Sequence, residues 1–243
     1  MKKNRLGVCF LVMAWLFVVT LSSAQESSKI KVTSLPDLPS IAEARTSFGF
    51  AGMVGEMHKD ALITAGGANF PNALPWEGGK KIYSDSIYLL IDGQWQIASE
   101  KLPTPLAYAA SVSVPEGIPV MGGENGNTAS SAVFLVHYDV ATKTILQESY
   151  PPLHEGLAYS AAVVVEGFVY VVGGKNAGKS VNSFYRLSLK EKSEWETLAD
   201  FPGEPRALHT AVIQETKDTR KLFVIGGRNQ AAGKKSPTPT DYL

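Results

Sequence analysis

Cysteine is all but missing from this chain of 243 residues: Cys9 stands alone, and one cysteine cannot close a disulfide within the chain. An excess of either charge is missing as well. Lys and Arg number 23 against 23 Asp and Glu, a formal net charge of zero, which excludes nucleic-acid binding through a basic surface. No histidine pair stands at metal-ligand spacing, and there is no phosphate-binding loop or dinucleotide fingerprint. What the chain does have is 44% hydrophobic residues against 19% charged, enough to bury a sizeable core in one globular unit.

One long apolar run stands apart from the rest. Lys2, Lys3 and Arg5 precede an apolar stretch from Leu6 to Leu21, and Ser22-Ser23-Ala24 then supplies small residues before Gln25-Glu26. This is the pattern of a secretory signal peptide cleaved near Ala24. The run is short for a membrane span and no basic stop-transfer cluster follows it, so stable membrane insertion is not expected. Removal of residues 1–24 takes Cys9 and three positive charges with it and leaves 219 residues with a net charge of −3. The expectation is an exported, periplasmic protein, with residues 25–243 as its domain.

Those remaining residues are organised by a repeat. An apolar run leads into two glycines four times, at Gly66-Gly67, Gly122-Gly123, Gly173-Gly174 and Gly226-Gly227, with spacings of 56, 51 and 53. Upstream of each lies a dipeptide ending in proline: Leu38-Pro39, Leu102-Pro103, Pro151-Pro152 or Phe201-Pro202. Between proline and glycines a small apolar stretch such as Ala107–Val112 or Ala158–Val163 reads as an inner strand. Downstream come a polar loop, an alternating strand (Ser86–Leu90, Ala132–Val136, Ser183–Leu187), and a fourth strand marked in two units by Trp95 and Trp195. No unit shows a helical period. Four short antiparallel strands repeated in this way predict an all-β fold, a kelch-type β-propeller with about four repeats. The glycines would let the chain leave its strand at positive φ, and each tryptophan would fill the wedge between blades.

A propeller must join its ends. Lys29–Leu35 reads as an outer strand in need of inner strands from the far end. The chain supplies Leu208–Ile213 and Leu222–Ile225, then a loop, and stops at Asp241-Tyr242-Leu243 where a third strand should begin. Two accounts fit this pattern, a four-bladed ring with a stunted last blade and a larger propeller whose last blades are absent here. The second is the expectation, because four blades is the lower limit of the architecture and an open sheet edge is a liability.

The segment Ala65-Gly66-Gly67-Ala68-Asn69-Phe70-Pro71, followed by Trp76–Tyr88, resembles a blade of the bacterial N-acetylneuraminate (sialic acid) mutarotases, or epimerases. Gly122-Gly123-Glu124 is similar to that family's last blade and Ala199–Arg206 to the segment joining its first two, an order that resembles its cyclically permuted branch. The resemblance covers about residues 30–243. It implies an incomplete six-bladed propeller, exported, whose relatives equilibrate the α and β anomers of sialic acid without metal or organic cofactor. It also implies a catalytic glutamate directly after a glycine, with an arginine six residues on. Gly123-Glu124 is the match here, but Ser130 stands where the arginine should be, and blade order puts the true pair beyond Leu243.

Ring opening needs a base for the anomeric hydroxyl and an acid for the ring oxygen. In a four-stranded blade the loops between strands two and three emerge on the same face as those between blades, and that face is where a site is expected. Glu124 is the candidate acid/base. Arg45, Arg206 and Arg228 are candidates for the sugar carboxylate, with Asn69 and His209 as further substrate contacts; Lys80, Lys81, Lys175 and Asn176 share the face. The expected partner is a small sugar acid. The alternative is a non-catalytic kelch module binding a glycan or a protein through the same loops.

Overall fold

Apart from one 3-10 turn at Pro75–Glu77, the described residues form only strands and loops. The computed structural model describes residues 32–40, 49–126 and 128–230. The proposed signal segment, Arg45 and the residues from 231 onward lie outside them. The chain divides into two units, Met1–Leu35 and Pro36–Leu243. In the first, the described residues 32–35 carry no strand, so that part of the outer strand expected over Lys29–Leu35 is not formed.

The second unit follows the repeat. Blade one comprises β1 (Val54–His58) and β2 (Ala61–Ala65), then β5 (Ser86–Ile91) and β6 (Gln94–Lys101); a small hairpin, β3 (Ala68–Asn69) and β4 (Ile82–Tyr83), rises between β2 and β5. Blade two is β7 (Ala110–Ser111), β8 (Ile118–Met121), β9 (Val133–Asp139) and β10 (Thr144–Tyr150). Blade three is β11 (Ala161–Val165), β12 (Phe168–Asn176), β13 (Lys179–Ser188) and β14 (Glu196–Thr197), and β15 (Ala207–Glu215) pairs with β16 (Arg220–Arg228) as the start of a fourth. All pairs are antiparallel, and except for β2 and β5, which the small hairpin separates, each joins strands consecutive in the chain, as in a propeller blade.

Blade two shows why its strands read as continuous apolar runs. Ile118, Val120, Phe134 and Val136 face the core shared with blade one, while Met121, Val133 and Leu135 face the core shared with blade three. Successive side chains point to opposite faces, so a strand buried on both must be apolar throughout. On β15 and β16 only one face is covered, and Leu208, Val212, Phe223 and Ile225 are exposed on the other.

The double glycines do sit at positive φ, and the reason is the neighbouring blade. A Cβ on Gly122 (φ +70°) would fall on the carbonyl of Leu157, and one on Gly123 (φ +97°) would lie 2.7 Å from Leu106 Cδ1. The amides of Gly67, Gly123 and Gly174 donate to the carbonyls of Leu106, Leu157 and Arg206 at 2.7, 2.7 and 2.9 Å, one bond per blade boundary. In blade three the pair lies within the continuous strand β12 and produces a register shift, not a strand end.

Nearer the axis runs a second ladder. Tyr108 and Tyr159 stand just before the inner strands of blades two and three, and Leu208 is the second residue of β15; all three have φ near +60°. Each donates its N–H to its counterpart one blade back, Tyr108 to Gly52, Tyr159 to Tyr108 and Leu208 to Tyr159, at 2.8 to 3.0 Å. This left-handed residue shortens the expected inner strand Ala107–Val112 to Ala110–Ser111. At the periphery the Trp195 indole, 2% exposed, donates to Pro151 O at 2.8 Å, and Trp95 donates to Pro36 O at 3.0 Å.

Candidate functional site

A cavity of about 620 Å³ opens where the β3–β4 hairpin, the loop after β8, the connection between blades two and three, and the β12–β13 hairpin meet. This is the loop face anticipated from the repeat. Glu124 lies in its wall. The backbone of Glu124 is fixed by paired hydrogen bonds with Ala107, 2.8 and 2.9 Å long, directly after the glycines that bind blade two to blade three.

The side chain is fixed as firmly. Tyr159 donates its hydroxyl to Glu124 Oε1 at 2.7 Å and Tyr83 donates to the same oxygen at 3.1 Å. Oε2 has no protein partner among the described residues. Burial and the adjacent Glu124 charge push the Tyr83 hydroxyl up to about 12, and burial and the Glu124 hydrogen bond raise Tyr159 likewise. Both phenols therefore stay protonated at neutral pH and act as donors. Gly126 leaves room for the Tyr83 ring, since a Cβ there would lie 2.9 Å from Tyr83 Cε2.

Two cations complete the wall. Lys81 lies 5.2 Å from the Tyr108 ring centroid and 5.7 Å from that of Tyr83, and Lys175 lies 5.5 Å from that of Tyr159. The Tyr108 and Tyr159 rings stack at 4.4 Å between them. The aromatic faces orient the ammonium groups without neutralising them. Neither lysine has a carboxylate within 4 Å among the described residues. The arrangement offers one carboxylate oxygen as a proton acceptor and two cations for an anionic ligand.

Residues 19–145, which contain blade one, Tyr83 and Glu124, match the sequence profile of N-acetylneuraminate epimerase. The chain belongs to the N-acetylneuraminate epimerase family. Residues 156–202, which contain all four strands of blade three, match the kelch motif. N-acetylneuraminate epimerase of Yersinia enterocolitica is 34% identical over 120 residues, 44% of this chain and 30% of that protein. The same-named proteins of Yersinia pestis (strain Pestoides F) and Brucella suis are 37% and 34% identical over 110 and 113 residues. Against these family members the chain matches 27 to 30% of their length.

Among the residues that the sequence pointed to, Glu124 lines the cavity, together with Lys81, Lys175 and Asn176. Arg45 lies outside the described residues. Asn69 donates to Gly49 O at 3.0 Å and braces its own hairpin. The Arg206 guanidinium donates to the carbonyls of Glu204 and Gly226, at the end of the fourth blade. Arg228 ends β16 opposite Ala207, and its carbonyl accepts the Ser180 hydroxyl. His209 is buried and donates Nε2–H to Val172 O at 3.0 Å; it borders a small axial pocket with Tyr108, Tyr159 and Leu208. None of Asn69, Arg206, His209 and Arg228 lines the 620 Å³ cavity. Ser130, in the place of the family arginine, turns its hydroxyl to the Ala132 amide. Tyr83 as a partner of Glu124 was not foreseen; the matched spacing of Tyr108 and Tyr159 before their inner strands was the available signal for the rest.

Proposed function

We propose that this chain binds N-acetylneuraminate, or a closely related sugar acid, in the Glu124 cavity and interconverts its anomers. The observation that carries this reading is the division of labour on one carboxylate: Oε1 is held by two tyrosyl hydroxyls while Oε2 has no partner among the described residues. Family membership names the sugar and the reaction. Oε2 takes the proton of the anomeric hydroxyl as the bond between the anomeric carbon and the ring oxygen breaks, and the ring oxygen accepts a proton from one of the two lysines. The open-chain keto form rotates and closes on its other face, returning both protons. The second lysine holds the sugar carboxylate, a task for which sequence reasoning named arginines.

The residues 1–24 pattern extends the reading to an exported, periplasmic protein, which the mass of the mature chain tests directly. For the activity, the test is the approach of a single-anomer sample of N-acetylneuraminate to equilibrium, followed by proton NMR. Acceleration that saturates with sugar supports the proposal. Binding with no acceleration supports a glycan-binding module instead.

A further inference from the structure

A second carboxylate stands behind the cavity wall. Glu155, half-buried in the connection between blades two and three, accepts hydrogen bonds from Ser183 Oγ at 2.7 Å and Tyr185 OH at 2.8 Å on Oε1, and from Asn176 Nδ2 at 2.5 Å on Oε2. Like Glu124, it has one oxygen held by hydroxyls. Unlike Glu124, it commits the other to a side chain that itself lines the cavity.

The chemistry of the amide then decides what the cavity sees. A carboxylate only accepts, so Asn176 must present its nitrogen to Glu155. The amide oxygen has no protein partner among the described residues. Asn176 is held by backbone as well, since it ends β12 opposite Lys179 across the two-residue turn Ala177-Gly178, both at positive φ. We infer that Glu155 is a positioning residue: it fixes the amide of Asn176 so that Oδ1 faces the ligand as an acceptor for an N–H or O–H group of the bound sugar. That a sugar acid is the ligand rests on the function proposed above. The acceptor would be matched by an acetamido N–H or a ring hydroxyl. Burial alone would raise the Glu155 carboxyl, but its three hydrogen bonds outweigh burial and hold it below the usual carboxylate range, so the orientation persists into mildly acidic solution.

The test has one part that needs no ligand. In full-length protein labelled with 15N at asparagine, one Asn176 side-chain proton, assigned by its loss in Asn176→Asp, should be shifted downfield and protected from solvent. Glu155→Gln should abolish that signature, because the introduced amide keeps its oxygen for Ser183 and Tyr185 and turns its own N–H groups on Asn176. An unchanged Asn176 signal in Glu155→Gln overturns the inference. In the second part, Glu155→Gln should weaken N-acetylneuraminate binding about tenfold, the cost of facing one donor with another. The exchanged pair Glu155→Gln with Asn176→Asp restores a donor opposite a carboxylate and an oxygen toward the cavity, and should recover affinity to within about threefold. Should the single variant fail to fold, the exchanged pair still decides: weakened binding equal to that of Asn176→Ala contradicts the inference. If the wild-type chain binds no N-acetylneuraminate, the proposed function fails and the amide signal alone decides the positioning role.

Discussion

Gly122 and Gly226 occupy the same place in blades two and four and have the same backbone, φ +70° and +71°. They differ in what lies beside them. A methyl group on Gly122 would strike the Leu157 carbonyl, whereas among the described residues nothing lies within 4 Å of a methyl on Gly226. Substitution by alanine therefore separates two costs. Both variants lose about 1–2 kcal/mol from the left-handed backbone, and Gly122→Ala adds about 1–3 kcal/mol of overpacking against a hydrogen-bonded carbonyl. In a domain of this size about 1 kcal/mol lowers Tm by about 2–4 °C. Gly226→Ala should thus lower Tm by roughly 2–8 °C and Gly122→Ala by up to about 20 °C, measured by far-ultraviolet circular dichroism. The Leu157 carbonyl also accepts the Gly123 amide at 2.7 Å, so Gly122→Ala should disturb Glu124 as well. Equal losses in the two variants would refute the view that the next blade's backbone demands glycine at position 122 beyond what its φ demands.

Tyr159→Phe removes the 2.7 Å donor to Glu124 and should slow anomer exchange by about ten- to a hundredfold, a hydrogen bond to a charged group being worth roughly 1.5–3 kcal/mol, in rates at saturating sugar; an unchanged rate would deny the hydroxyl any part in holding the base. Trp195→Phe leaves Pro151 O without its indole donor in a buried wedge and should lower stability to urea by about 1–3 kcal/mol. Burial lowers the His58 and His209 pKa from 6.5. A folded pKa below the unfolded one means that the unfolded chain binds more protons, so stability should fall as pH drops below 6.5 toward the folded values. His209→Gln should flatten part of that fall in pH-dependent unfolding, and an unaltered slope would contradict it. Lys81→Ala with Lys175→Ala should weaken N-acetylneuraminate more than N-acetylmannosamine in calorimetric titrations, equal losses arguing against a carboxylate contact.

The architecture was legible because each device repeats. The double glycines, the third strands and the tryptophans recur at blade spacing, and the amides of Gly67, Gly123 and Gly174 each bond the carbonyl that leads into the next blade. The inner strand of blade two was less so: nothing in Ala107-Tyr108-Ala109-Ala110 announces that Tyr108 takes a left-handed conformation, which its place in the axial ladder imposes. The position of Glu124 after Gly123 could be read from the chain, but its partners lie 41 and 35 residues away in other blades, and only the stacking of blades brings them together. Arginine was the natural expectation for a carboxylate, yet Arg206 and Arg228 belong to the fourth blade, and the lysines of the first and third reach the cavity instead.

Comparison of anomer exchange in the wild-type chain and Glu124→Gln tests the account most directly. The exchanged amide keeps the size of the side chain and can still accept from Tyr83 and Tyr159, but it cannot take a proton. The account expects wild-type acceleration of N-acetylneuraminate anomer exchange, cut at least about a hundredfold in Glu124→Gln with sugar binding retained. Equal acceleration by the two proteins would contradict it and place the chemistry elsewhere than in this cavity.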